Sequence, residues 1–435
     1  MKHSTLSNRF TRLCAAARRW NKDEAGAVAI IAALAFPVLV GGMGLGAETG
    51  YWYVMQRKLQ HASDMAAHAG AIRKRAGDGA DQINAAALQI ATQSGLSSVL
   101  GTILVNSPPA SGAKAGSDDS VEVLLTQQQP RLISLLFSSD PITLKARAVA
   151  SIVGGSRACV LALSPTAPGA LTVTGSTQVT LQGCDIASNS NAAEGFLMSG
   201  SGSLSANCGY SVGGAVSTGK LTLTECASIK TSAPVVRDPY ASLPEPAVIG
   251  ACQNATVNGG TLTPSDNHPS GVKSMRFCNG LNVKGKVSFG PGLYIIEGGE
   301  MSINNGDLTS SELAGLAGPG VTFFFTNGGS VKLGGNANLN LSAPTTGPFA
   351  GLLFFGSRNN TKDNQLGGNS DSTLKGAVYM PDAHLQFTGN SSVSDGCVQI
   401  IARTITFTGN STLGASCDPV GTRRLVTGET VKIVE

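Results

Sequence analysis

Charged and aromatic residues are scarce in this sequence. Only 13% of its 435 residues are charged and 5% are aromatic, whereas ordinary soluble domains carry about 25% charged residues. A helical bundle needs many Lys, Glu and Leu residues on its helix faces, so this composition argues against one. Disorder is excluded as well, because a hydrophobic content of 42% is enough to bury a core.

Glycine, by contrast, is abundant. The chain has 55 glycines among its 435 residues, where a share of about 7% is usual. The glycines do not recur at every third position, which excludes collagen. The remaining class is a Gly/Ser/Thr/Asn-rich β protein with many tight turns. The length allows two or three domains.

Positive charge is concentrated at the N-terminus. Residues 1–24 hold six Lys/Arg and two acidic residues, a net +4 that equals the formal charge of the whole chain. The rest of the chain is therefore neutral overall. A nucleic-acid-binding protein concentrates basic charge on its folded part, so the sequence argues against nucleic acid as a partner.

An uncharged run follows this basic segment, at residues 25–47. A helix of that length is about 35 Å long, enough to cross a hydrocarbon core of about 30 Å. Trp20 and Trp52 lie just outside the two ends, where aromatic rings prefer the headgroup level. We therefore expect a basic cytoplasmic tail (1–24), a transmembrane helix (25–47) and an extracytoplasmic remainder, since Lys and Arg favour the cytoplasmic side.

The alternative to a retained anchor is a cleaved signal peptide. The apolar core of a signal peptide has 7–15 residues, and this run is longer. No clean small-x-small cleavage site precedes Tyr51, although Gly44-Leu45-Gly46 leaves this alternative open. The sequence favours the anchor.

The helical pattern continues beyond the apolar run, because residues 48–75 contain no proline. Small and apolar residues recur there at three- and four-residue spacing: Leu59, Ala62, Ala66, Ala69 and Ile72. This spacing predicts one helix face, and small residues allow a second helix to approach closely. We expect this face to pack against partner helices.

Three pieces of the N-terminal segment resemble a known family. They are EAGAVA at 24–29 before the alanine-rich span, an acid-Thr-Gly turn at 48–50, and RKLQHASDMAAHAGA at 57–71. Together they resemble the N-terminal signature of TadE/TadG-like Flp (tight adherence) pilus-assembly proteins, and the chain looks TadG-like. His61, His68 and Glu48 depart from the usual residues. The resemblance implies an inner-membrane component of a Tad pilus or secretion system, whose partners are other Tad/Flp proteins and membrane lipid.

A small α/β piece is expected at residues 76–155, completing a membrane-proximal head (48–155). A helical period runs through Ile83, Ala87 and Ile90, and strand-like runs follow at 121–125 and 142–150. The segment around Phe137 resembles the membrane-proximal head of the same family.

From residue 156 to about 420 the pattern is that of a large β region. Phe-Thr-Gly-Asn-Ser at 387–391 recurs at 407–411, and such a period indicates stacked coils. We expect a right-handed parallel β-helix-like region, with a β-sandwich pair as the alternative. The prolines at 234, 239, 244 and 246 predict a segment that wraps across the surface between two halves, and residues 421–435 are expected to form a tail.

The cysteines support this topology. Cys14 precedes the span and is expected to be reduced, while the other eight follow it, an even number in an oxidising compartment. Their sequential spacing suggests four local disulfides: Cys159–Cys184, Cys208–Cys226, Cys252–Cys278 and Cys397–Cys417. The absence of a CxxC motif argues against a thiol oxidoreductase and a zinc ribbon.

Three motifs could carry chemistry, and each has a simpler explanation. Residues 214–220 approach a phosphate-binding loop, but Leu221 stands where Ser or Thr is needed and the following residues read as a strand. Residues 307–311 approach a D-x-S-x-S metal site but fall in a turn-rich stretch. His61, Asp64 and His68 share a helix face without a further ligand nearby. We therefore predict no catalytic, cofactor-binding or metal-binding residues, and no nucleotide.

The sequence thus predicts a non-enzymatic, membrane-anchored structural component of a Tad/Flp pilus-assembly or secretion apparatus. It would lie in a bacterial inner membrane as a single-pass protein with a cytoplasmic N-terminus. The alternative is a membrane-anchored adhesin or glycan-binding β-helix protein outside pilus assembly. A glycan-active enzyme ranks third, because the acidic residues are scattered.

Overall fold

The chain folds into two compact units. The computed structural model describes residues 24–310, 320–334, 337–368, 372–389, 391–392, 397–414 and 420–435. Of the described residues, the head unit comprises 24–74, 78–152 and Val431–Glu435, and the coil unit comprises those within Val153–Thr430 together with Arg75–Gly77. In sequence, the coil unit is therefore an insertion into the head unit. The fold is mainly β with one long apolar N-terminal helix, as predicted.

The head unit combines two helices with a four-stranded sheet. Helix α1 (Glu24–Ala76) precedes α2 (Ala80–Gln93), and β1 (Gly101–Asn106), β2 (Ser120–Gln129) and β3 (Ile142–Val153) form an antiparallel meander. The strand Thr430–Ile433 joins the same sheet beside β3. A 3-10 helix (Ser134–Leu136) lies between β2 and β3. The α/β elements expected at 76–155 are present.

The coil unit is a stack of coils in which each turn contributes a strand to three successive faces. Strands from neighbouring turns pair in parallel on every face, the arrangement of a β-helix-like solenoid. A β-sandwich would instead pair its strands antiparallel. The parallel stack therefore agrees with the predicted parallel β-helix-like region and not with the β-sandwich alternative.

The bounds of the coil strands follow the order of the chain. Those before the proline-rich stretch are Ser156–Ala162, Leu171–Thr174, Gln178–Gln182, Asp185–Ser188, Phe196–Ser199, Ser203–Ala206, Gly209–Ser211, Ala215–Ser217 and Lys220–Leu223. Those after it are Thr256–Leu262, Asp266–Asn267, Lys273–Phe277, Leu281–Phe289, Gly292–Glu297, Glu300–Ser310, Val321–Thr326, Ser330–Leu333, Asn338–Ser342, Leu352–Gly356, Asn364–Gly368, Thr373–Gly389, Ser391–Ser392, Cys397–Phe407, Ser411–Gly414 and Val426–Thr427.

The spatial order of the coils is circularly permuted relative to the sequence. The first strand, Ser156–Ala162, pairs with Asp185–Ser188 on one side and with the late strand Cys397–Phe407 on the other. The chain therefore starts in the middle of the stack and coils to one end near residue 230. It then begins again at the opposite end near residue 252 and coils back until its last turn meets its first.

Residues 231–250, here called the strap, connect the two ends of the stack. Val236 and Tyr240 of the strap are buried in one apolar cluster with Ile295, Phe324 and Phe355, which lie on one face of the coil unit. The prediction that the proline-rich segment wraps across the surface between two halves is therefore confirmed.

Polar contacts fix the strap in place. The side-chain amide of Asn189 donates to the carbonyl of Val236 and its oxygen accepts from the Val236 N–H, both at 2.8 Å. Arg358 donates to the carbonyls of Tyr240 and Leu243 at 2.8 and 2.9 Å. The Tyr379 hydroxyl donates to Asp238 at 2.8 Å. Buried polar groups are thus paired on both sides of this contact.

Three disulfides link neighbouring coils in the predicted pairs. Cys159–Cys184, Cys208–Cys226 and Cys252–Cys278 have Cα–Cα separations of 5.7, 5.2 and 5.4 Å, within the normal disulfide range. Cys397 is also disulfide-bonded. Cys417 lies outside the described residues, so the pairing of Cys397 with Cys417 stays a prediction.

Aromatic rings from successive coils form the centre of the core. Phe289, Phe323 and Phe354 are fully buried, with ring centroids 5.0 Å apart for the first pair and 5.5 Å for the second. The strand Val321–Thr326 is buried on both sides: Phe323 and Phe325 point into the coil and Phe324 lies under the strap. This explains a continuous apolar run in place of an alternating one.

Candidate membrane-attachment site

The first half of α1 is exposed and apolar. Side chains such as Leu34, Val38 and Met43 are more than half exposed although no charge lies between residues 25 and 47. Pro37 lies within the helix, and prolines are tolerated in membrane-spanning helices. Among the described residues, α1 is the one helix long and apolar enough to cross a membrane by length and composition.

The second half of α1 packs on the sheet of its own head unit. Leu59, Ala62 and Ala66 are buried in one cluster with Val121 and Val123 of β2. The expectation that this face binds partner helices is therefore wrong for its central residues. The spacing correctly indicates a buried face, but the covering surface is the sheet of the same chain. Residue 72, at the edge of this face, is exposed.

Side-chain amides and a hydroxyl fix the register of α1 on the sheet. Gln56 and Gln60 donate to the carbonyls of Lys145 and Arg147 at 2.7 and 2.9 Å. Ser63 donates to the carbonyl of residue 123 at 3.0 Å. The two glutamine bonds run along the helix in the same order as along β3, so the N-terminal end of β3 lies toward the apolar half of α1.

Glu48 attaches the connection between β2 and β3 to α1. Its carboxylate is 2% exposed and accepts hydrogen bonds from the backbone N–H groups of Leu132 and Ser134, at 2.6 and 2.7 Å. The Ser134 hydroxyl donates to it at 3.0 Å. A buried carboxylate needs such donors because it has left water. The predicted turn at 48–50 is wrong, since α1 continues through these residues.

A second polar cluster joins the β-strands at the other end of the sheet. The fully buried Glu122 carboxylate accepts from Arg147 Nε at 2.6 Å, and Arg147 Nη1 donates to Glu435 at 2.5 Å. The hydrogen bonds that Arg147 donates to Glu435 and Glu122 raise its pKa, against the effect of desolvation. The cluster thus ties the last strand to β2 and β3 through charge-assisted bonds.

Four donors surround Glu122. Burial alone would raise the pKa of this carboxyl, but hydrogen bonds from Asn106, Ala110, Arg147 and Ser111 outweigh burial and lower it to about 2. The donor-to-oxygen distances lie between 2.6 and 3.0 Å. Glu122 therefore remains ionised at neutral pH and holds the loop after β1.

The motifs considered for chemistry lie in structural positions. The residues after Lys220 form a strand, Lys220–Leu223, as predicted for the segment that resembles a phosphate-binding loop. Asp307 lies in the strand Glu300–Ser310 and pairs with Lys286 at 3.3 Å, so its expected turn-rich setting is wrong; Ser311 lies outside the described residues. Asp64 accepts from Gln60 at 2.8 Å. Within the described ranges no three potential metal ligands cluster.

The sequence did not identify Glu48, Glu122 or the connection between β2 and β3 as functional features. Glu48 stood out only as a departure from the family pattern. The sequence of this connection does indicate an apolar segment, since residues 132–139 contain no charge and four large apolar residues precede Phe137. The partners of Glu122 come from residues 106–111 and from Arg147 on β3, so no local spacing shows them.

Comparison with known proteins identifies the N-terminal segment. No curated protein and no solved structure matches the chain. Residues 26–80, which include the exposed span, Glu48 and the buried face of α1, match the Tad family model, described as "Putative Flp pilus-assembly TadE/G-like". The match confirms the predicted resemblance: the chain carries a TadE/G-like Flp pilus-assembly segment.

Proposed function

We propose that this protein is a membrane-anchored structural component of a Tad/Flp pilus-assembly or secretion apparatus in a bacterial inner membrane. The observation that carries the proposal is the coincidence of the family match at residues 26–80 with the exposed apolar half of α1. Apolar side chains that no described part of the head unit covers need another apolar environment, and a bilayer supplies it.

The proposed topology is single-pass, with the N-terminus in the cytoplasm and both folded units outside it. The six Lys/Arg residues before the span support this orientation. The disulfides of the coil unit support it independently, because such bonds persist in the periplasm and are rare in the cytoplasm.

The coil unit acts in this proposal as a rigid display surface without catalytic activity. Its neutral, Ser/Thr/Asn-rich exterior would contact other assembly proteins outside the cytoplasm. We propose the right-handed form, because crossovers between parallel strands are right-handed in about 98% of cases.

Contacts between this protein and partner helices would involve the membrane half of α1. The face between residues 59 and 71 is occupied by the protein's own sheet. Gly42 and Gly46 lie four residues apart on α1, and a Cβ added at either would meet nothing within 4 Å. Such spacing allows two helices to approach closely in lipid, which supports the span as the partner-binding segment.

An in-frame deletion in the native bacterium tests the function. Pili are measured in sheared surface fractions of the deletion strain, with and without the wild-type gene supplied in trans. Lost pili that return on complementation support a role in assembly. Normal pili with reduced attachment would refute that role and favour the adhesin alternative.

A further inference from the structure

The connection between β2 and β3 exposes a cluster of large apolar side chains. We call residues 130–138 the apolar loop. Leu136 and Phe137 are 87% and 79% exposed, and Leu132, Ile133 and Leu135 are also exposed. Residues 132–139 carry no charge. Large apolar side chains that are exposed together in this way often mark a surface that binds a protein, a ligand or a membrane.

The apolar loop lies beside the end of the predicted span. A Cβ added at Gly44 would meet the Ile133 side chain at 3.2 Å, and Gly44 precedes the end of the span by three residues, or about 4.5 Å along the helix. One helical turn further along α1, the Glu48 carboxylate accepts hydrogen bonds from the backbone N–H groups of Leu132 and Ser134. The Arg131 guanidinium lies 5.9 Å from the centre of the Trp52 ring.

The backbone of the apolar loop is suited to a medium without water. The N–H groups of Leu132 and Ser134 are bonded to Glu48. The N–H groups of Leu136 and Phe137 donate to the carbonyls of Ile133 and Ser134, at 3.3 and 3.0 Å. Because an unpaired N–H group is costly in lipid, these internal bonds remove a major penalty for inserting the loop.

The two ends of the head sheet differ in character. Val99 and Leu100 precede β1 at the same end of the sheet as the apolar loop, and both are exposed. The loop at the opposite end, residues 107–119, contains Lys114, Asp118 and Asp119 and no large apolar residue. Among the described residues, the end of the sheet toward the apolar half of α1 therefore presents the larger cluster of exposed apolar side chains.

We propose that the apolar loop inserts into the membrane leaflet adjacent to the head unit, at the boundary between headgroups and acyl chains. The inference rests on the proposed membrane anchoring of α1. Continuity with the span selects lipid as the occupant of this surface, because the loop touches α1 at the level where the span ends. The inserted loop gives the head unit a second attachment point, which fixes its depth and restricts its rotation about the helix axis.

Depth-dependent fluorescence quenching tests the insertion. The full chain, with Trp20 and Trp52 replaced by Phe, is reconstituted into phosphatidylcholine–phosphatidylglycerol vesicles that contain lipids brominated near the headgroup or deep in the acyl chain. Phe137→Trp places a probe in the loop, and Leu136→Trp provides an independent one. Ile433→Trp is the matched control, because Ile433 is an exposed apolar residue that precedes Val434, whose N–H donates to the carbonyl of Val149. Val149 lies seven residues along β3 from Ile142, or about 23 Å.

We expect the shallow bromines to quench both loop probes at least about twofold more than the Ile433→Trp probe. Vesicle flotation of the same samples reports anchoring separately. A chain that floats but shows unquenched loop probes, or equal quenching at all three positions, would overturn the insertion and leave the anchor intact. A chain that fails to float would overturn both proposals. Near-ultraviolet circular dichroism confirms that each variant keeps its fold.

Discussion

Ile400 pairs in parallel with Val160, which lies 240 residues earlier in the chain. This contact joins the last coil to the first and turns two sequence segments into one continuous stack. Because the first coil lies in the middle of the stack, the strands at which the chain enters and leaves the coil unit are adjacent: Val426 pairs antiparallel with Arg157. A simple solenoid would place these points at opposite ends. Because of this permutation, a long stack of coils can be inserted in the chain between two strands of the head sheet.

The aromatic core of the coil unit should be sensitive to truncation. Phe323→Ala removes a fully buried ring that contacts Phe289, Tyr294 and Phe354. We expect a loss of about 3–5 kcal/mol in the free energy of unfolding, measured from the urea midpoint of the coil unit. The control, Val216→Ala at an exposed strand position, should change it by less than about 0.5 kcal/mol. Similar midpoints for both variants would contradict the burial of the Phe323 ring in the aromatic core.

Disulfide mapping should find four linked pairs and one free thiol. Non-reducing peptide mass spectrometry of the purified chain should show the three observed links and Cys397 joined to Cys417, with Cys14 alkylated. The spacing of 20 residues between Cys397 and Cys417 matches one coil, so the two should lie on neighbouring turns. A peptide that links Cys397 to any other cysteine would refute the fourth pair.

The head unit should lose stability in acid because of Glu122. The pKa of Glu122 is lowered to about 2 in the folded protein and is about 4.3 in an unfolded chain. A lowered pKa stabilises the folded state above the unfolded value, so this contribution, about 3 kcal/mol, should disappear as the pH falls from about 5 to about 2. Thermal denaturation across this range measures it.

The matched variant for this prediction is Glu122→Gln, which keeps the shape of the side chain and removes the titrating group. It should be less stable than the wild type at pH 7 and should show a weaker dependence on pH between 5 and 2. An unchanged slope in the variant would assign the acid sensitivity to other carboxyl groups.

Removing the Glu48 carboxylate should release the apolar loop from α1. In Glu48→Ala, the N–H groups of Leu132 and Ser134 lose their acceptor. Their hydrogen exchange should accelerate by about tenfold or more, as measured by mass spectrometry on peptides that cover residues 130–138. Asp81→Ala, at an exposed acidic residue on α2, is the control and should leave this exchange unchanged. Equal protection in both variants would show that other contacts hold the loop.

Features of the fold that depend on residues close in the sequence could be predicted, whereas pairings between distant segments could not. The three observed disulfides and the wrapping proline segment could be predicted, since each depends on spacing within neighbouring turns. The pairing of Ile400 with Val160 could not, because it joins segments whose repeat pattern is interrupted by the strap. The spacing of Leu59, Ala62 and Ala66 indicated a buried face but carries no information on what covers it.

Accessibility of Cys14 tests the central claim, that the chain crosses the membrane once and places both folded units outside the cytoplasm. Spheroplasts of the native bacterium are treated with a membrane-impermeant maleimide before and after permeabilisation. Ala115→Cys, in the exposed loop after β1, provides an outside control on the same chain. This topology predicts that Cys14 is labelled only after permeabilisation, whereas position 115 is labelled in intact spheroplasts. Labelling of Cys14 in intact spheroplasts, or protection of position 115, would contradict it.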